Sequence, residues 1–186
     1  MKKTAVLLFD KFEEIEGITP VDILRRAGVD VKTLSIEPTK TVVGRSSIEV
    51  KCDALFEDAK GDIFDALVIS GGPGTDKLLG REDVLEFARR HNAEGKICAA
   101  ICAAPVVLKA AGVLEGRRRT AFPARAAEVG GCDESVPVVV DKNIITSRGA
   151  GTASEFAFAI VSELLGEDAA RKVADSICFG RADRLG

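Results

Sequence analysis

The amino-acid sequence predicts an α/β protein in which helices cover both faces of a mostly parallel β-sheet. Two observations support this fold class. Short apolar runs bounded by turn residues recur along the whole chain, and segments with helical spacing lie between several of them. Strands that alternate with helices are typical of parallel sheets, and strands covered on both faces are apolar throughout.

The predicted strands are the apolar runs, in chain order. They are Ala5–Phe9, Val29–Ile36, Ala66–Ile69, Ile97–Ile101, Val138–Val140 and Asn143–Thr146. Apolar residues three or four positions apart indicate the helices between them. These residues are Ile18, Val21, Leu24 and Ala27, then Val84, Leu85 and Ala88, and finally Phe156, Ala159, Ile160 and Leu164.

A small β-hairpin is predicted between the second and third of these strands. Thr41–Val43 and Ile48–Lys51 are short runs with β-forming residues, and a four-residue turn with Gly44 at its start separates them. Together, the elements predict a three-layer, flavodoxin-like sandwich with a mostly parallel sheet and one hairpin.

The composition is that of an ordinary globular domain. Hydrophobic residues make up 46% of the 186 residues and charged residues 30%, so we expect one domain over residues 1–186. The net charge is −3 and the longest basic run is Arg117–Arg119, which argues against a nucleic-acid partner. The N-terminal apolar run is too short to span a bilayer and lacks a small-residue cleavage site, so a cytoplasmic protein without membrane contact is expected.

The five cysteines do not form a metal-binding or dithiol pattern. No C-x-x-C pair occurs among them, so neither a zinc ribbon nor a redox-active pair is indicated. We expect free thiols, as in a reducing compartment. Their positions are 52, 98, 102, 132 and 178.

Cys102 differs from the others in its neighbours. The sequence Ala100-Ile101-Cys102-Ala103-Ala104 places it between small residues, with a predicted strand before it and an apolar helix after it. The serine-hydrolase elbow G-x-S-x-G has the same arrangement. A helix start favours the thiolate and lowers a cysteine pKa from about 8.5 to between about 3.5 and 7.5. The alternative is a structural cysteine, because unpaired cysteines are often buried.

Two further segments lie at predicted carboxyl ends of strands, where open α/β sheets form their sites. The glycines of Ser70–Thr75 allow a turn whose N–H groups face an anion or an oxyanion, although a plain tight turn fits equally. A third glycine is lacking, so a dinucleotide site is disfavoured. In Asp10–Pro20, acids near a helix start usually interact with the helix dipole, but one facing a thiolate would be protonated. Pro20 predicts a kink or a helix start.

His91 is the only histidine, and it lies in FARRHNAEGK, which is typical of the polar end of a helix. We expect it at the surface. A Cys–His pair around Cys102 would require His91 to fold back, so a carboxyl group is the expected general acid or base.

Four segments resemble the ThiJ/PfpI superfamily, in the branch of the parkinsonism-associated deglycase/chaperone and its bacterial relatives. The resemblance implies the flavodoxin-like sandwich and a homodimer. The segments are EEIEGITPVDILRRAG (13–28), LVISGGPGTDKL (67–78), AAICAAPVVL (99–108) and TSRGAGTASEFAFAIVSELLG (146–166).

The resemblance also implies roles for individual residues. Cys102 matches the reactive, oxidisable cysteine of the family, and Glu16 matches the protonated glutamate that hydrogen-bonds its sulfur. The backbone N–H groups of Gly72 and Ala103 match those that line the oxyanion or sulfinate pocket.

Arg26 and Arg148 match arginines near the family's pocket and dimer seam. The chain also departs from some branches. The protease-like and heat-shock branches have a histidine directly after the cysteine, where Ala103 stands here, which argues against a Cys–His protease and a glutamine amidotransferase. Human-type members carry a histidine in a segment like TAFPARAAE, where Phe122 stands here, and this departure argues against strong acid–base catalysis from that position.

Two functions use the same residues. The first is an enzyme without metal or organic cofactor that acts on methylglyoxal, glyoxal or their early adducts. The second is a redox-sensing stress protein or chaperone with client proteins, in which Cys102 is oxidised without significant turnover. A structural cysteine in a non-catalytic sandwich is the third interpretation. The sequence does not separate them.

Overall fold

A computed structural model describes residues 1–180 and gives the bounds of each element. The strands are β1 (Lys3–Leu8), β2 (Asp30–Ser35), β3 (Thr41–Val43), β4 (Glu49–Lys51), β5 (Ala54–Leu55), β6 (Ala66–Ile69), β7 (Ile97–Ile101), β8 (Val138–Asp141) and β9 (Ile144–Ser147). The α-helices are α1 (Glu14–Arg26), α2 (Phe56–Ala59), α3 (Asp76–Leu79), α4 (Glu82–Ala93), α5 (Pro105–Ala110), α6 (Pro123–Val129), α7 (Ala153–Leu165) and α8 (Glu167–Ser176). Two 3₁₀ turns span Pro73–Thr75 and Ala150–Thr152. Residues 181–186, part of the single-domain prediction, lie outside the described residues.

Seven strands form one sheet in the order β5-β2-β1-β6-β7-β9-β8. All neighbours pair in parallel except β8 and β9, which are antiparallel, so the predicted mostly parallel sheet is confirmed. Strands β3 and β4 form a separate antiparallel hairpin in which Thr41 lies opposite Lys51, as predicted. Strand β5 was missed because two residues are too few for a recognisable apolar run.

The strand order creates a crevice at the carboxyl edge of the sheet. From β1 the chain runs to β2 on one side, and it later crosses to β6, β7 and β9 on the other. This reversal between β1 and β6 is the position where open α/β sheets bind ligands. The loops that follow β1, β6, β7 and β9 therefore meet at one edge.

Helices flank the sheet in two groups, which gives the predicted three layers. Helix α1 packs on α7 and α7 packs on α8, whereas α3, α4 and α5 pack on one another. Strands β6, β7 and β9 are buried along their whole length. Ile18, which we expected on the buried face of α1, is instead 37% exposed, because the face of α1 that packs inward carries Ile23 and Leu24.

Helix α1 begins at Glu14, which excludes a helix start at Pro20, one of the two alternatives that the proline predicted. The Glu13 side chain accepts a hydrogen bond from the Glu16 N–H at 2.9 Å and caps the helix at Glu14. Pro20 lies inside the helix, where its missing N–H leaves the Glu16 carbonyl without the usual intrahelical donor. The cap fixes the start of the helix and with it the position of Glu16.

His91 is buried, so the predicted surface position was wrong. The Phe64 N–H donates to Nε2 at 3.0 Å, and Nδ1 lies 2.7 Å from the Phe87 carbonyl oxygen. The proton therefore sits on Nδ1, and both ring nitrogens are satisfied. Burial lowers the pKa of His91, so the ring is neutral. The sequence pattern misled because the loop before β6 covers this end of α4.

Within residues 1–180, the helices are all too short or too polar to cross a membrane.

Candidate active site

Cys102 lies on a sharp turn directly after β7. Its φ angle is +64°, in the left-handed region that side chains other than glycine rarely adopt and that costs about 1–2 kcal/mol. The Cys102 N–H donates to the Ser147 carbonyl at 2.9 Å, and its carbonyl accepts from the Phe122 N–H at 2.9 Å. Two flanking segments thus hold the backbone of Cys102 in the elbow that its small neighbours predicted.

Glu16 points from the first turn of α1 toward this elbow and is 1% exposed. Burial raises the pKa of its carboxyl group to about 7. The Cys102 thiol acts in the opposite direction, as do the N–H groups of Gly71 and Ala150, whereas the charge of Glu13 raises the pKa further. The Oε2 atom is buried without a hydrogen-bond partner. Such a carboxyl group is half protonated near neutral pH and has an oxygen available to a reacting group.

The pKa of the Cys102 thiol is raised, and not lowered as we expected. Burial raises it to about 12, and the neighbouring Glu16 adds to this, while the N–H groups of Ala103 and Gly72 act against it. The physical reason is position: α5 begins only at Pro105, so the sulfur lies in the buried elbow and not at the helix start. Two negative charges in this space are disfavoured, so thiol and carboxyl titrate as a pair. The nucleophilic form of the pair is a thiolate beside a protonated Glu16.

Two glycines allow this close approach. A Cβ atom on Gly71 would lie 2.5 Å from Glu16 Oε2 and 2.7 Å from Cys102 Cβ. Gly72 has a φ angle of +116°, and a Cβ atom there would lie 2.5 Å from the Glu13 nitrogen. No other residue type fits either position without moving the backbone.

The Cys102 side chain faces a cavity of about 330 Å³. This cavity brings together four of the residues that the sequence pointed to: Glu16, Gly72, Cys102 and Ala103. Phe122 also lines it. Glu13, Pro73 and Ala150 also line the cavity and belong to segments singled out in the sequence, whereas no sequence signal indicated a role for Arg45, Ala124 or Arg125.

The two cationic side chains of the cavity differ in their partners. Arg125 on α6 forms ion pairs with Asp76 at 2.8 Å and with Glu128 at 2.7 Å. Arg45 comes from the turn of the β3–β4 hairpin. Its backbone N–H donates to the Phe12 carbonyl at 2.8 Å and so holds the turn beside the cavity. The hairpin folds over the loop after β1, and no local sequence signal indicates this long-range contact.

The two predicted arginines lie elsewhere. Arg26 is ten residues beyond Glu16 on α1, about 15 Å along the helix axis, and pairs with Asp22 at 2.8 Å. The structure does not bring it to the cavity. Arg148 lines a neighbouring cavity of about 470 Å³, which shares Phe122 and Ala150 with the first.

Of the five cysteines, Cys102 is the one that lines the candidate active-site cavity. Cys52 and Cys98 are buried, and burial raises their pKa values to about 11 and about 12. Residues 1–180 contain no group of three or more His, Cys, Asp or Glu side chains placed to hold a metal ion.

An elbow cysteine beside a buried glutamate, at the carboxyl edge of a parallel sheet, defines a class of cysteine-centred α/β proteins. Residues 2–163 match the DJ-1/PfpI family, and the chain belongs to that family. The resemblance drawn from the four sequence segments is confirmed.

Relatives with curated names share most of the chain. Protein dj-1beta of Drosophila melanogaster is 34% identical over 180 residues, which cover 95% of this chain and 96% of the relative. A protein named deglycase from Pyrococcus abyssi is 36% identical over 80% of this chain and 91% of its own length. A Caenorhabditis elegans protein named glutathione-independent glyoxalase is 32% identical over 97% of this chain and 98% of its own length. The chain spans only 40% of another relative, Protein DJ-1 homolog B of Arabidopsis thaliana.

Solved structures confirm the fold. The crystal structure of Drosophila melanogaster DJ-1beta superimposes with a TM-score of 0.93 at 33% identity, covering 97% of this chain and 99% of that one. The structure of oxidized Toxoplasma gondii DJ-1 gives a TM-score of 0.91 at 32% identity, covering 97% of this chain and 100% of that one.

Proposed function

We propose that this protein is a cysteine-dependent, cofactor-free enzyme of the glyoxalase or deglycase type, protective in carbonyl and oxidative stress. Its substrates would be methylglyoxal, glyoxal or their early adducts with amines and thiols. The observation that carries the proposal is the Cys102 thiol beside the buried carboxyl group of Glu16, whose pKa is raised to about 7. The names of the Pyrococcus and Caenorhabditis relatives support the substrate class.

The reaction begins with attack of the Cys102 thiolate on the aldehyde carbon of methylglyoxal. A carbon–sulfur bond forms, and the electron pair of the carbonyl moves to its oxygen, which takes the proton from Glu16. The N–H groups of Gly72 and Ala103 stabilise this oxygen while it is negatively charged. The product of this step is a hemithioacetal beside a Glu16 carboxylate.

The Glu16 carboxylate then removes the proton from the carbon bonded to sulfur and delivers it to the ketone oxygen, which gives an enediol. Glu16 next takes the hydroxyl proton from the carbon bonded to sulfur and donates it to the adjacent carbon, which gives the lactate thioester of Cys102. Water cleaves this ester to lactate and the free thiol. The net change is the addition of one water molecule, so the reaction needs no external oxidant or reductant. Glyoxal gives glycolate by the same steps. In an amine adduct, the thiolate displaces the amine, which leaves with a proton.

The properties of Glu16 suit this work. A group that both donates and accepts a proton is most effective when its pKa lies near the working pH, and burial brings Glu16 there. The cavity of about 330 Å³ has room for a small dicarbonyl beside Cys102 and Glu16.

The test is lactate production from methylglyoxal by the wild type, Cys102→Ser and Cys98→Ala. We expect Cys102→Ser to lower the rate about 10³-fold or more, because removing a nucleophile abolishes the covalent route. Cys98 is buried four residues away and should be replaceable without loss of turnover. Undiminished turnover in Cys102→Ser, or no lactate from the wild type, contradicts the proposal.

The alternative function is that of a redox-sensing stress protein or chaperone. The N–H groups of Gly72 and Ala103 near the Cys102 sulfur support this alternative, because they stabilise negative charge there. One hydrogen peroxide oxidises the thiolate to a sulfenate with release of water, and a second gives the sulfinate. The protonated Glu16 and the two N–H groups would stabilise the sulfinate oxygens. Peroxide titration, followed by mass spectrometry of Cys102, measures this activity apart from dicarbonyl turnover.

A cytoplasmic homodimer is the proposed form of the protein. Four exposed apolar side chains lie on α1 and on the hairpin, and such a group of exposed apolar residues favours an interface. They are Ile15, Ile18, Val43 and Ile48. Light scattering should give twice the 19.6 kDa of one chain at micromolar concentration.

A further inference from the structure

The segment that follows β9 contacts both halves of the candidate active site. The Ser147 carbonyl accepts the Cys102 N–H at 2.9 Å and so holds the elbow. Three residues further on, Ala150 lines the candidate active-site cavity together with Glu16, and its N–H lowers the pKa of the Glu16 carboxyl group. A Cβ atom on Gly149 would lie 3.8 Å from Glu16 Oε1, so the backbone of this turn runs close beside the carboxyl group. One short segment thus reaches two residues that belong to different elements.

Two hydroxyl groups hold this segment in shape. Ser147 Oγ lies 2.7 Å from Thr152 Oγ1 and 3.0 Å from the Pro137 carbonyl. Thr152 Oγ1 lies 2.9 Å from the Gly149 carbonyl, and it accepts the Gly149 N–H at 3.2 Å. The two hydroxyl protons supply two of these three oxygen–oxygen contacts at a time, and the Gly149 N–H supplies the fourth contact. The Thr152 N–H also donates to the Gly149 carbonyl at 2.8 Å, which closes the turn around Ala150.

We propose that Thr152, together with Ser147, is a positioning residue for the proton that Glu16 and Cys102 share. The hydroxyl pair of Ser147 and Thr152 fixes the turn that places the Ala150 N–H beside Glu16. Ser147 also holds Cys102, because its carbonyl oxygen accepts the Cys102 N–H. Thr152 itself does not line the cavity of Cys102. Only the expected gain in turnover rests on the proposed function. The turn acts on the Glu16 carboxyl group whether or not a substrate is present.

The direction of the effect follows from the donor. An N–H that donates to a carboxylate stabilises the charged form, so its loss raises the pKa of the carboxyl group. The other groups that face Glu16 are Cys102 at the elbow and Glu13 on its own helix, with Arg45 from the hairpin and Arg125 from α6 on the cavity wall. All four remain when Thr152 is changed, so a shift reports on the turn.

The experiment is an NMR titration of the Glu16 side-chain carboxyl carbon in Thr152→Val, Thr152→Ser and the wild type. We expect Thr152→Val to raise the Glu16 pKa by about one unit, the size of effect that a charged hydrogen bond supplies. Thr152→Ser keeps the hydroxyl and should restore the wild-type value. Ser147→Ala should shift the pKa in the same direction, and it serves as a second variant if Thr152→Val does not fold.

Thr120→Val is the matched control, because the Thr120 hydroxyl is buried without a hydrogen-bond partner. It should leave the Glu16 titration unchanged. An unshifted Glu16 in folded Thr152→Val overturns the inference, and so does a Thr152→Ser variant that titrates like Thr152→Val. The titration needs no turnover, so a failure of the proposed function would appear separately, as absent lactate production.

Discussion

His91 and Glu16 are both buried and both titratable, yet their surroundings differ. Each ring nitrogen of His91 has a backbone partner, whereas the Oε2 atom of Glu16 has none. Burial therefore makes His91 a neutral core residue, but it leaves Glu16 with a pKa of about 7 beside a thiol. A buried polar group whose hydrogen bonds are complete stabilises the fold, whereas a buried polar group with an unpaired donor or acceptor is a candidate for a catalytic role.

Cys98 and Cys102 repeat the contrast four residues apart. Burial raises the pKa of both thiols to about 12. Cys98 lies inside β7 with its sulfur near backbone carbonyls, whereas Cys102 has a positive φ angle and faces the cavity. A raised pKa therefore does not distinguish the two thiols, but backbone strain and access to a ligand do.

Among variants of Glu16 and His91, the largest expected effect comes from replacing the carboxyl group of Glu16. In Glu16→Gln we expect dicarbonyl turnover to fall by about 10²-fold or more, because an amide cannot transfer the proton. Glu16→Asp shortens the reach by one methylene group and should lose turnover as well. Steady-state lactate production at saturating methylglyoxal measures both. Normal rates in both variants would remove Glu16 from the mechanism.

The same Gln variant separates catalysis from redox sensing. Its amide still donates a hydrogen bond, so the sulfinate yield at Cys102 after mild peroxide should be retained. Lost turnover with retained sulfinate supports catalysis by Glu16, and loss of both would instead indicate a damaged elbow.

The next effect is on stability. The pKa of Glu16 is raised from 4.5 to about 7, so the folded wild type loses stability as the pH rises through this interval. Glu16→Gln carries no such charge, and we expect it to exceed the wild type by about 3 kcal/mol in free energy of unfolding at about pH 8. Below about pH 4.5 the difference should vanish. Urea denaturation at both pH values measures it, and a difference independent of pH contradicts the assignment.

The smallest effect concerns His91. His91→Phe keeps an aromatic ring between Phe64 and Phe87 but leaves the Phe64 N–H without its acceptor, which costs about 1–2 kcal/mol of stability. Turnover per folded molecule should not change, because His91 does not line the cavity. A fall in turnover that exceeds the unfolded fraction would place His91 in the chemistry after all.

Local pattern predicted much of the fold and the centre of the site. Strands β6, β7 and β9 are buried along their whole length, so they are recognisable as apolar runs, and the small neighbours of Cys102 indicate a sharp turn. The pKa of Cys102 could not be predicted, since it depends on how deeply the elbow is covered. Arg45 was missed for a similar reason, because only the docking of the hairpin on the loop after β1 brings it to the cavity.

The contact at Gly71 bears on how freely the rest of the chain can change. The backbone at this position fills the gap between Glu16 and Cys102, so main-chain packing, and no intervening side chain, sets the spacing of acid and sulfur. Substitutions in the core can therefore be absorbed by neighbouring side chains without moving the pair. A relative such as Drosophila DJ-1beta shares only 33% of its residues with this chain at a TM-score of 0.93. The fold tolerates sequence differences of that extent, whereas a single methyl group added at position 71 would displace Glu16 or the backbone at Cys102.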